Sequence, residues 1–307
     1  MRVAVTGASG FVGGAVWRAA AQRGWQVHAF GRRSRDRLGD RPPGLYRSWD
    51  VTGPVPGDLP EVDAVIHCAG GVSDWGPAAE IVRVNVAGTL AVRRAFPGVR
   101  FVHVSTASVY DPFRPTVMAR EDERPARRYV NAYGASKARA EEVVRGTAVV
   151  LRPHAVYGPG DPVLLPRVLR AVRGRRLFAV GDGRQRISLT SVGNLARACL
   201  LAAGGPVAAG VFNIADAEPV TLDDALRAVL RERGIDARPC YLPAGPATAL
   251  AVAAEAAFRA ARRPHPPTLT RYAVGHLAVE RTLDISAARE RLGYDPAPTS
   301  FAGAARW

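Results

Sequence analysis

Residues 2–14 read RVAVTGASGFVGG, and this stretch decides the fold. Its apolar start predicts a short buried strand, and its glycines then follow at the spacing G-x-x-G-x-x-G before a helix predicted over about residues 11–23. Glycines at this point let the backbone turn tightly and approach a phosphate group, while the start of the helix points its N–H groups at that phosphate. A purely structural turn is the alternative, but the position between a strand and a helix favours a dinucleotide site. The contacts predicted within the loop are Gly7, Ser9, Gly10, Phe11, Val12 and Gly13.

The following residues, up to about 150, alternate short apolar runs with helical stretches. Further strands are predicted at residues 26–30, 63–67, 100–104 and 148–152, and helices at residues 78–96 and 131–145. This alternation predicts an α/β fold, namely a Rossmann-type doubly wound parallel sheet that is covered on both faces. After Pro153 the pattern is less regular and richer in proline and glycine. That part is expected to form a smaller C-terminal mixed α/β substrate lobe, with a strand near residues 211–214 returning to the sheet.

A length of 307 residues suits a nucleotide-binding domain with a smaller attached lobe, and 48% hydrophobic residues suffice for a buried core. We expect residues 1–153 and about 186–215 to form the NADP-binding Rossmann domain. Residues from about 154 to 185 and from 216 to 307 would form the substrate-binding lobe.

The composition of the chain bears on which partners the protein binds and where in the cell it is located. The formal charge is +15, but the arginines are spread along the chain without a nucleic-acid motif, so no nucleic-acid partner is predicted. A polyanionic partner is the alternative. No apolar run reaches membrane-spanning length, and no signal peptide is evident. The three cysteines, Cys68, Cys199 and Cys240, are far apart in sequence and odd in number, which favours a reducing, cytoplasmic location and no metal site.

The end of the second predicted strand indicates the type of cofactor. It reads Ala29-Phe30-Gly31-Arg32-Arg33 and lacks the acidic residue with which NAD-specific sites bind the ribose hydroxyls. Two arginines stand where a 2′-phosphate would lie, and an arginine fork suits phosphate. The predicted cofactor is therefore NADP(H), with Arg32 favoured over Arg33, unless both belong only to the chain-wide excess of arginine. Asp50 and Val51, after the third strand, are candidates for contacting the adenine.

A single lysine, Lys137, occurs among the 42 lysines and arginines of the chain. It lies four residues after Tyr133, and residues i and i+4 share one face of a helix, so the phenol and the ammonium can act at one place. Arginine is a poor substitute where a compact ammonium must lie beside a phenol and reach a sugar hydroxyl. An accidental pair on a solvated helix is the alternative.

Several motifs in a fixed order make the sequence resemble the extended short-chain dehydrogenase/reductases over nearly its whole length. They are the glycine loop, His67-Cys-Ala-Gly70, Asn85-Val-Ala-Gly-Thr89, Ser105-Thr106, Tyr133-x-x-x-Lys137 and Leu151-Arg-Pro153 followed by Tyr157-Gly-Pro-Gly160. Any one of them is a weak signal, but their order and spacing together are highly specific.

The resemblance implies a mechanism of hydride transfer. Tyr133 would be the general acid in reduction and, as phenolate, the base in oxidation. Lys137 and the oxidised nicotinamide would lower its pKa, and Lys137 would also hold the nicotinamide ribose. Thr106 would hydrogen-bond the substrate oxygen, and Ser105 and Ser108 are alternatives.

Other contacts also enter through the resemblance. Asn85 matches a position that supports a proton relay in relatives, with helix bending or capping as the alternative. Cofactor contacts are implied at Cys68, Ala69, Gly70, Pro153 and His154, and substrate contacts at Val72, Ser108, Tyr157 and Arg186. Relatives often dimerise through two helices, which implies a homodimer through residues 78–96 and 131–146.

The branch within the family bears on the substrate. Dehydratases carry an acid pair beside the threonine, and Ala107 and Ser108 stand there, so dehydration is excluded. Ala155 occupies a place where nucleotide-sugar enzymes commonly carry asparagine. The chain instead resembles sterol 3β-dehydrogenases and 2-alkyl-3-oxoalkanoate reductases in residues 151–162, 189–196, 269–272 and 287–294.

The predicted function is NADPH-dependent reduction of a ketone, or oxidation of a secondary alcohol, on a hydrophobic or natural-product-like small molecule. Two alternatives stay open. One is a nucleotide-sugar 4-ketoreductase or epimerase. The other is a non-catalytic NADP(H)-sensing protein, although relatives of that kind usually lack the tyrosine or the lysine that this chain keeps.

Overall fold

The structure, a computed structural model, describes the chain except residues 39–41, 43, 74, 113, 124–125, 127 and 264. Its strands are β1 (Arg2–Thr6), β2 (Gln26–Gly31), β3 (Leu45–Ser48), β4 (Ala64–His67), β5 (Arg100–Val104), β6 (Thr116–Ala119), β7 (Val149–Pro153), β8 (Val156–Tyr157), β9 (Val172–Arg173), β10 (Arg176–Val180), β11 (Arg186–Ile187), β12 (Thr190–Ser191), β13 (Gly210–Ile214), β14 (Val220–Thr221), β15 (Arg238–Leu242) and β16 (Arg281–Leu283). Its α-helices are α1 (Phe11–Gln22), α2 (Ala78–Val82), α3 (Gly88–Ala95), α4 (Ala132–Val143), α5 (Leu164–Arg170), α6 (Val192–Gly204), α7 (Leu222–Glu232), α8 (Ala244–Ala260), α9 (Arg271–Leu277) and α10 (Ser286–Leu292).

The central sheet has seven parallel strands within the described residues, in the order β13-β7-β5-β4-β1-β2-β3. The order reverses between β1 and β4, where Val5 pairs with Ala29 on one side and with Ile66 on the other. Ligands of doubly wound sheets bind at such a reversal, beyond the carboxyl ends of the strands. The sheet thus brings the residues that follow β1, β2, β4, β5 and β7 to one edge.

Both faces of this sheet are covered, as the strand–helix alternation predicts. Alternate side chains of a strand point to opposite faces. On one face Val3 and Val5 pack in a core with α1, α6 and α10. On the other face Ala4 belongs to a second core, with Val92 of α3 and Val144 beyond α4. The Rossmann-type α/β fold expected from the sequence is therefore confirmed.

One predicted helix differs from expectation. Residues 78–96 are not one regular α-helix, because a π-helical turn over Arg83–Ala87 separates α2 from α3. Asn85 lies in the middle of this turn. Such turns occur mostly as single insertions within α-helices, frequently at functional sites.

The C-terminal half adds smaller sheets around the same edge. They have the strand orders β15-β10-β9, β14-β11-β16-β6 and β12-β8. The predicted returning strand is present as β13, which pairs with β7 from Gly210 to Ile214. Separate apolar clusters hold α7 beside β10 and α8 beside α9. In the part of the chain that is described, each helix is too short or too polar to cross a membrane.

Candidate functional site

The glycine loop between β1 and α1 is built for close approach. Gly7 has a positive φ of 71°, and a Cβ at this residue would lie 2.6 Å from the backbone nitrogen of Ala69. A Cβ at Gly13 would overlap the carbonyl group of Gly7. The loop thus packs backbone against backbone, and only glycine fits there. Helix α1 follows with Gly10 at its N-cap and without a side-chain cap, so its first N–H groups face outward as a dinucleotide phosphate site requires.

Arg32 and Arg33 leave the end of β2 beside this loop, and both are exposed. The phenol of Tyr46 donates to the carbonyl oxygen of Arg33 at 2.6 Å, which fixes the backbone from which the two guanidinium groups extend. Asp50 accepts hydrogen bonds from the amide and the hydroxyl of Thr52, and these, reinforced by the positive charge of Arg32, lower the pKa of its carboxyl group. Val51 is buried against Gly88.

A chain of hydrogen bonds links the motif His67-Cys-Ala-Gly70, at the end of β4, to the motif Asn85-Val-Ala-Gly-Thr89. His67 contacts the Thr6 hydroxyl at 2.7 Å through Nδ1 and the Thr89 hydroxyl at 3.1 Å through Nε2. Thr89 in turn donates to the carbonyl oxygen of Asn85. Burial lowers the pKa of His67 to about 3, so the ring is neutral. Through these bonds His67 ties β1 and β4 to the π-helical turn. This function of His67 was not predicted from the sequence.

The Asn85 side chain points from the π-helical turn toward Lys137. Its Oδ1 accepts from the Gly71 amide at 2.8 Å, and its Nδ2 donates to the Ser136 hydroxyl at 2.8 Å. A Cβ at Gly70 would lie 3.1 Å from Asn85 Oδ1 and 3.2 Å from Lys137 Nζ. Asn85 therefore links the loop after β4 to α4, beside the ammonium.

Tyr133 and Lys137 lie one turn apart on α4, whose N-cap Asn131 accepts from the Gly134 amide. Lys137 is buried, with 5% of its surface exposed, and Nζ donates to the carbonyl oxygen of Val104 at 2.8 Å. This bond places the ammonium at the carboxyl end of β5. The structure thus unites the glycine loop, Asn85, Tyr133 and Lys137 at one edge of the sheet.

Burial shifts the pKa values of both members of this pair, Tyr133 and Lys137. Burial lowers the pKa of Lys137 to about 8. Burial also raises the pKa of the Tyr133 phenol, and a hydrogen bond with Thr106 opposes the rise. Lys137 is not among the causes of the pKa shift at Tyr133, and its Nζ donates instead to the Val104 carbonyl oxygen. The phenol is therefore protonated at neutral pH.

Three hydroxyl groups follow β5, and their partners distinguish them. Ser105 donates to Glu141 at 2.5 Å, and Glu141 is paired with the buried Arg152 at 2.7 Å. Thr106 lies beside the Tyr133 phenol and donates to the Ser108 hydroxyl at 3.2 Å. Ser105 thus serves the ion pair, whereas Thr106 and Ser108 face the candidate site.

A narrow pocket adjoins these hydroxyl groups. Ser108 lines it, and so does His154, which had been expected to contact the cofactor. The sequence analysis missed Tyr129, Asn131, Tyr272, His276 and Arg281, which also line the pocket. Tyr272 and His276 lie on α9, more than 100 residues away from Ser108 and His154, so no local pattern could have indicated them.

Other predicted contacts lie elsewhere. The Tyr157 hydroxyl donates to Asp216 at 2.8 Å inside a C-terminal core, and Arg186 is exposed on β11. Val72 is 58% exposed on the loop after β4. Pro153 ends β7, and Ala69 is half-buried beside Gly7. The structure does not bring Tyr157 or Arg186 to the pocket, and their role as substrate contacts stays a prediction.

Two cysteines that are far apart in sequence are neighbours in the structure. The half-buried Cys68 hydrogen-bonds the buried Cys199 of α6, and this contact raises the pKa of the Cys199 thiol. Among the described residues no group of three or more His, Cys, Asp or Glu side chains is placed to hold a metal ion.

Comparison with known proteins agrees with this arrangement. Residues 3–215 match the NAD dependent epimerase/dehydratase family. A 4-hydroxy-2-methyl-3-oxo-4-farnesyl-3,4-dihydroquinoline-1-oxide ketoreductase of Stigmatella aurantiaca is 32% identical, over 96% of this chain and 92% of the relative. A 2-alkyl-3-oxoalkanoate reductase of Stenotrophomonas maltophilia is also 32% identical, over 96% of this chain and 95% of the relative.

Among solved structures, MoeE5 in complex with UDP-glucuronic acid and NAD is similar. The TM-score is 0.72 at 26% identity, and the match covers 98% of this chain and 95% of that chain.

Proposed function

The chain belongs to the NAD dependent epimerase/dehydratase family, and from this premise we propose that it is an NADPH-dependent ketoreductase. It is an oxidoreductase by its relatives, which include named reductases and dehydrogenases. Two relatives that are similar over nearly the full length are named a ketoreductase and a 2-alkyl-3-oxoalkanoate reductase. The proposed substrate is a hydrophobic or natural-product-like ketone, and the reverse reaction would oxidise the corresponding secondary alcohol. The observation that carries the proposal is the buried Lys137 ammonium one turn from the Tyr133 phenol, beside the glycine loop.

The residues of the loop fit a nicotinamide dinucleotide. Gly7 and Gly13 let the loop pack closely against neighbouring backbone, and the uncapped start of α1 would supply N–H donors to the pyrophosphate. Arg32 and Arg33 would hold the 2′-phosphate that distinguishes NADP(H) from NAD(H), with Asp50 and Val51 near the adenine. Lys137 would hold the nicotinamide ribose, and Cys68, Ala69, Gly70 and Pro153 would border the dinucleotide.

A bound dihydronicotinamide supplies the hydride that reduces the carbonyl carbon. The Tyr133 phenol donates its proton to the carbonyl oxygen as negative charge develops there. Its raised pKa suits this direction, because the phenol holds its proton at neutral pH until the alkoxide needs it. Thr106 would orient the carbonyl oxygen, and Asn85, which donates to the Ser136 hydroxyl beside Lys137, would support the return of the proton.

A second candidate is a nucleotide-sugar 4-ketoreductase or epimerase. The fold match with a protein in complex with UDP-glucuronic acid favours it. Ala155 argues against a nucleotide-sugar substrate, because alanine lacks the amide group that nucleotide-sugar enzymes commonly have at this position. A non-catalytic NADP(H)-sensing protein is less well supported, since both Tyr133 and Lys137 are in place.

The test is NADPH consumption, followed by absorbance, against four classes of ketone. The panel holds a steroid ketone, a 2-alkyl-3-oxo acid, an aromatic polyketide-like ketone and a dTDP-4-keto sugar, each repeated with NADH. Turnover of an apolar ketone, faster with NADPH, is the expected result. Turnover of the keto sugar alone would select the second candidate. Tight NADPH binding without turnover of any ketone, and equally without oxidation of the matching alcohols, would contradict the proposal.

A further inference from the structure

Two stacked histidines face the pocket beside Ser108, and the mechanism above does not use them. His154 follows β7 and His276 belongs to α9, with ring centroids 5.4 Å apart. His154 Nε2 lies 3.2 Å from His276 Nδ1, and His154 Nδ1 lies 2.7 Å from the carbonyl oxygen of Ser188. Both residues line the pocket.

The carbonyl of Ser188 fixes the proton positions in both rings. A carbonyl oxygen only accepts, so His154 Nδ1 carries the proton and donates. Burial lowers the pKa of His154 to about 4, so its ring is neutral and its Nε2 is a bare acceptor. His276 Nδ1 must then be protonated in order to donate to that nitrogen.

With the proton on Nδ1, the Nε2 atom of a neutral His276 ring carries no proton. Burial, the neighbouring His154 ring and the positive charges of Arg281 and Arg167 hold the pKa of His276 well below its usual value, so the ring stays neutral. Its Nε2 is buried and has no hydrogen-bond partner among the described residues. A buried polar atom without a partner is costly, and native structures usually pair it with protein, water or ligand.

The acceptor is held in a fixed place. Arg281 uses all five N–H groups on backbone carbonyls, and two of these bonds reach Gly275, directly before His276. Gln185 donates to the carbonyl oxygen of Leu277, directly after it. One turn earlier on α9, the Tyr272 hydroxyl lies 2.9 Å from Ser108 Oγ, and its ring packs 4.4 Å from the His276 ring.

We propose that His276 is a specificity-determining residue whose Nε2 accepts a hydrogen bond from a hydroxyl or N–H group that the substrate carries besides its reacting carbonyl. The inference rests on the proposed function, because it assigns a second contact within the same pocket. Ser108, bonded to both Thr106 and Tyr272, joins this contact to the reacting end. The substrate class is thereby narrowed to apolar ketones that also bear a hydrogen-bond donor.

The first arm of the test compares 1-tetralone with its ring-hydroxylated isomers and the matching methyl ethers, as substrates with NADPH. At least one hydroxylated isomer should exceed both the parent ketone and its ether about tenfold in kcat/KM, as one hydrogen bond allows. His276→Phe should reduce this advantage to less than twofold, and the readout is the ratio of kcat/KM for the hydroxylated ketone to kcat/KM for its methyl ether, both measured in the same variant. His265→Phe, the same change at an exposed histidine, should leave the advantage intact.

The second arm does not depend on turnover. In protein labelled with ¹⁵N-histidine and loaded with NADP⁺, six histidines are present and His276→Phe assigns the signals of His276. The expected spectrum is that of a neutral ring protonated at Nδ1, with an Nε2 signal that moves upfield when the hydroxylated ketone binds and not when its ether binds. A ring protonated at Nε2, or an advantage that survives His276→Phe, would overturn the proposal. Failure of every ketone with NADPH would instead count against the proposed function, and the proton position would still decide whether the acceptor exists.

Discussion

Tyr133 and Thr106 lie side by side at the end of β5, so one oxygen atom on each side chain defines the reacting end of the site. The Thr106 hydroxyl also accepts from the Ser108 amide at 3.1 Å, which holds it at the start of a short 3₁₀ turn over Ala107–Val109. Single-atom substitutions are therefore the appropriate probes at this scale.

Removing the phenol oxygen should stop the reaction and little else. Tyr133→Phe keeps the ring but lacks the proton donor, and loss of general acid catalysis typically costs two to four orders of magnitude in rate. We expect kcat to fall by about 10³ while the dissociation constant for NADPH stays within about twofold. Single-turnover absorbance and fluorescence titration would measure the two quantities. A variant with undiminished turnover would refute the role of Tyr133. Tyr129→Phe, at a tyrosine that lines the neighbouring pocket, is the control.

The arginines after β2 predict a preference between cofactors. Arg32→Ala removes a charged partner of the 2′-phosphate, so NADPH should bind about tenfold or more weakly while NADH binding changes little. Arg18→Ala, which removes the same charge from an exposed position on α1, serves as the control. Calorimetric titration with both cofactors measures the difference. Tighter binding of NADH than of NADPH by the unmodified protein would contradict the assignment.

At the scale of elements, a buried ion pair holds the strands and the helix that carry the site. Glu141 of α4 receives two hydrogen bonds from Arg152 of β7 and one from Ser105, which follows β5. The side chains of Glu141 and Arg152 are only 11% and 5% exposed. Because Tyr133 and Lys137 lie on the same helix, this pair fixes their distance from Thr106.

Breaking the pair should destabilise the fold. Glu141→Gln leaves the Arg152 guanidinium buried without its counter-charge, and such losses cost about 3–5 kcal/mol. Glu142→Gln removes the neighbouring carboxylate, which is paired with Arg145 on the surface, and should cost less than about 1 kcal/mol. Urea unfolding followed by circular dichroism compares the two. Equal losses would show that the buried pair does not hold α4 to the sheet.

The elements were predictable from sequence to the extent that their signals are local. The glycine loop and the i, i+4 spacing of Tyr133 and Lys137 follow from backbone geometry over a few residues. The parallel sheet with both faces covered follows from strand–helix alternation. The π-helical turn at Asn85 has no composition of its own and depends on bonds to Gly71 and Ser136, which packing supplies. The pairing of His154 with His276 spans 122 residues, so only the folded chain reveals it.

For the whole molecule, buried histidines outside the reaction carry a consequence for acid stability. Burial lowers the pKa of His67 to about 3 and of His154 to about 4, and that of His103 and His276 well below the usual value. Neither ring nitrogen of His103 has a partner among the described residues. Unfolded histidines take up protons near pH 6.5, whereas these folded ones stay neutral. The native state therefore loses stability as the pH falls below about 6.5.

The free energy of unfolding should fall between pH 6.5 and 4.5, by up to about 1.4 kcal/mol per pH unit for each such histidine. This window lies above the usual titration of carboxyl groups, so the histidines dominate it. Urea midpoints at four pH values would measure the slope. His103→Phe should make the slope shallower, whereas His265→Phe, at an exposed residue, should not. A midpoint that is constant over the window would contradict the burial of neutral imidazoles.

The single lysine gives the chain an unusual profile toward protein chemistry reagents. Apart from the terminal amine, the one primary amine belongs to the buried Lys137, whose pKa is lowered to about 8. Acylating labels and aldehyde crosslinkers, which modify most proteins at many lysines, would here react, apart from the terminal amine, with one buried nitrogen atom at the end of β5. A lysine-specific protease would find one bond to cut, and the chain would have to open before the enzyme reached it. The reaction of such reagents with Lys137 would thus measure how well this one residue is covered and how often the chain around it unfolds.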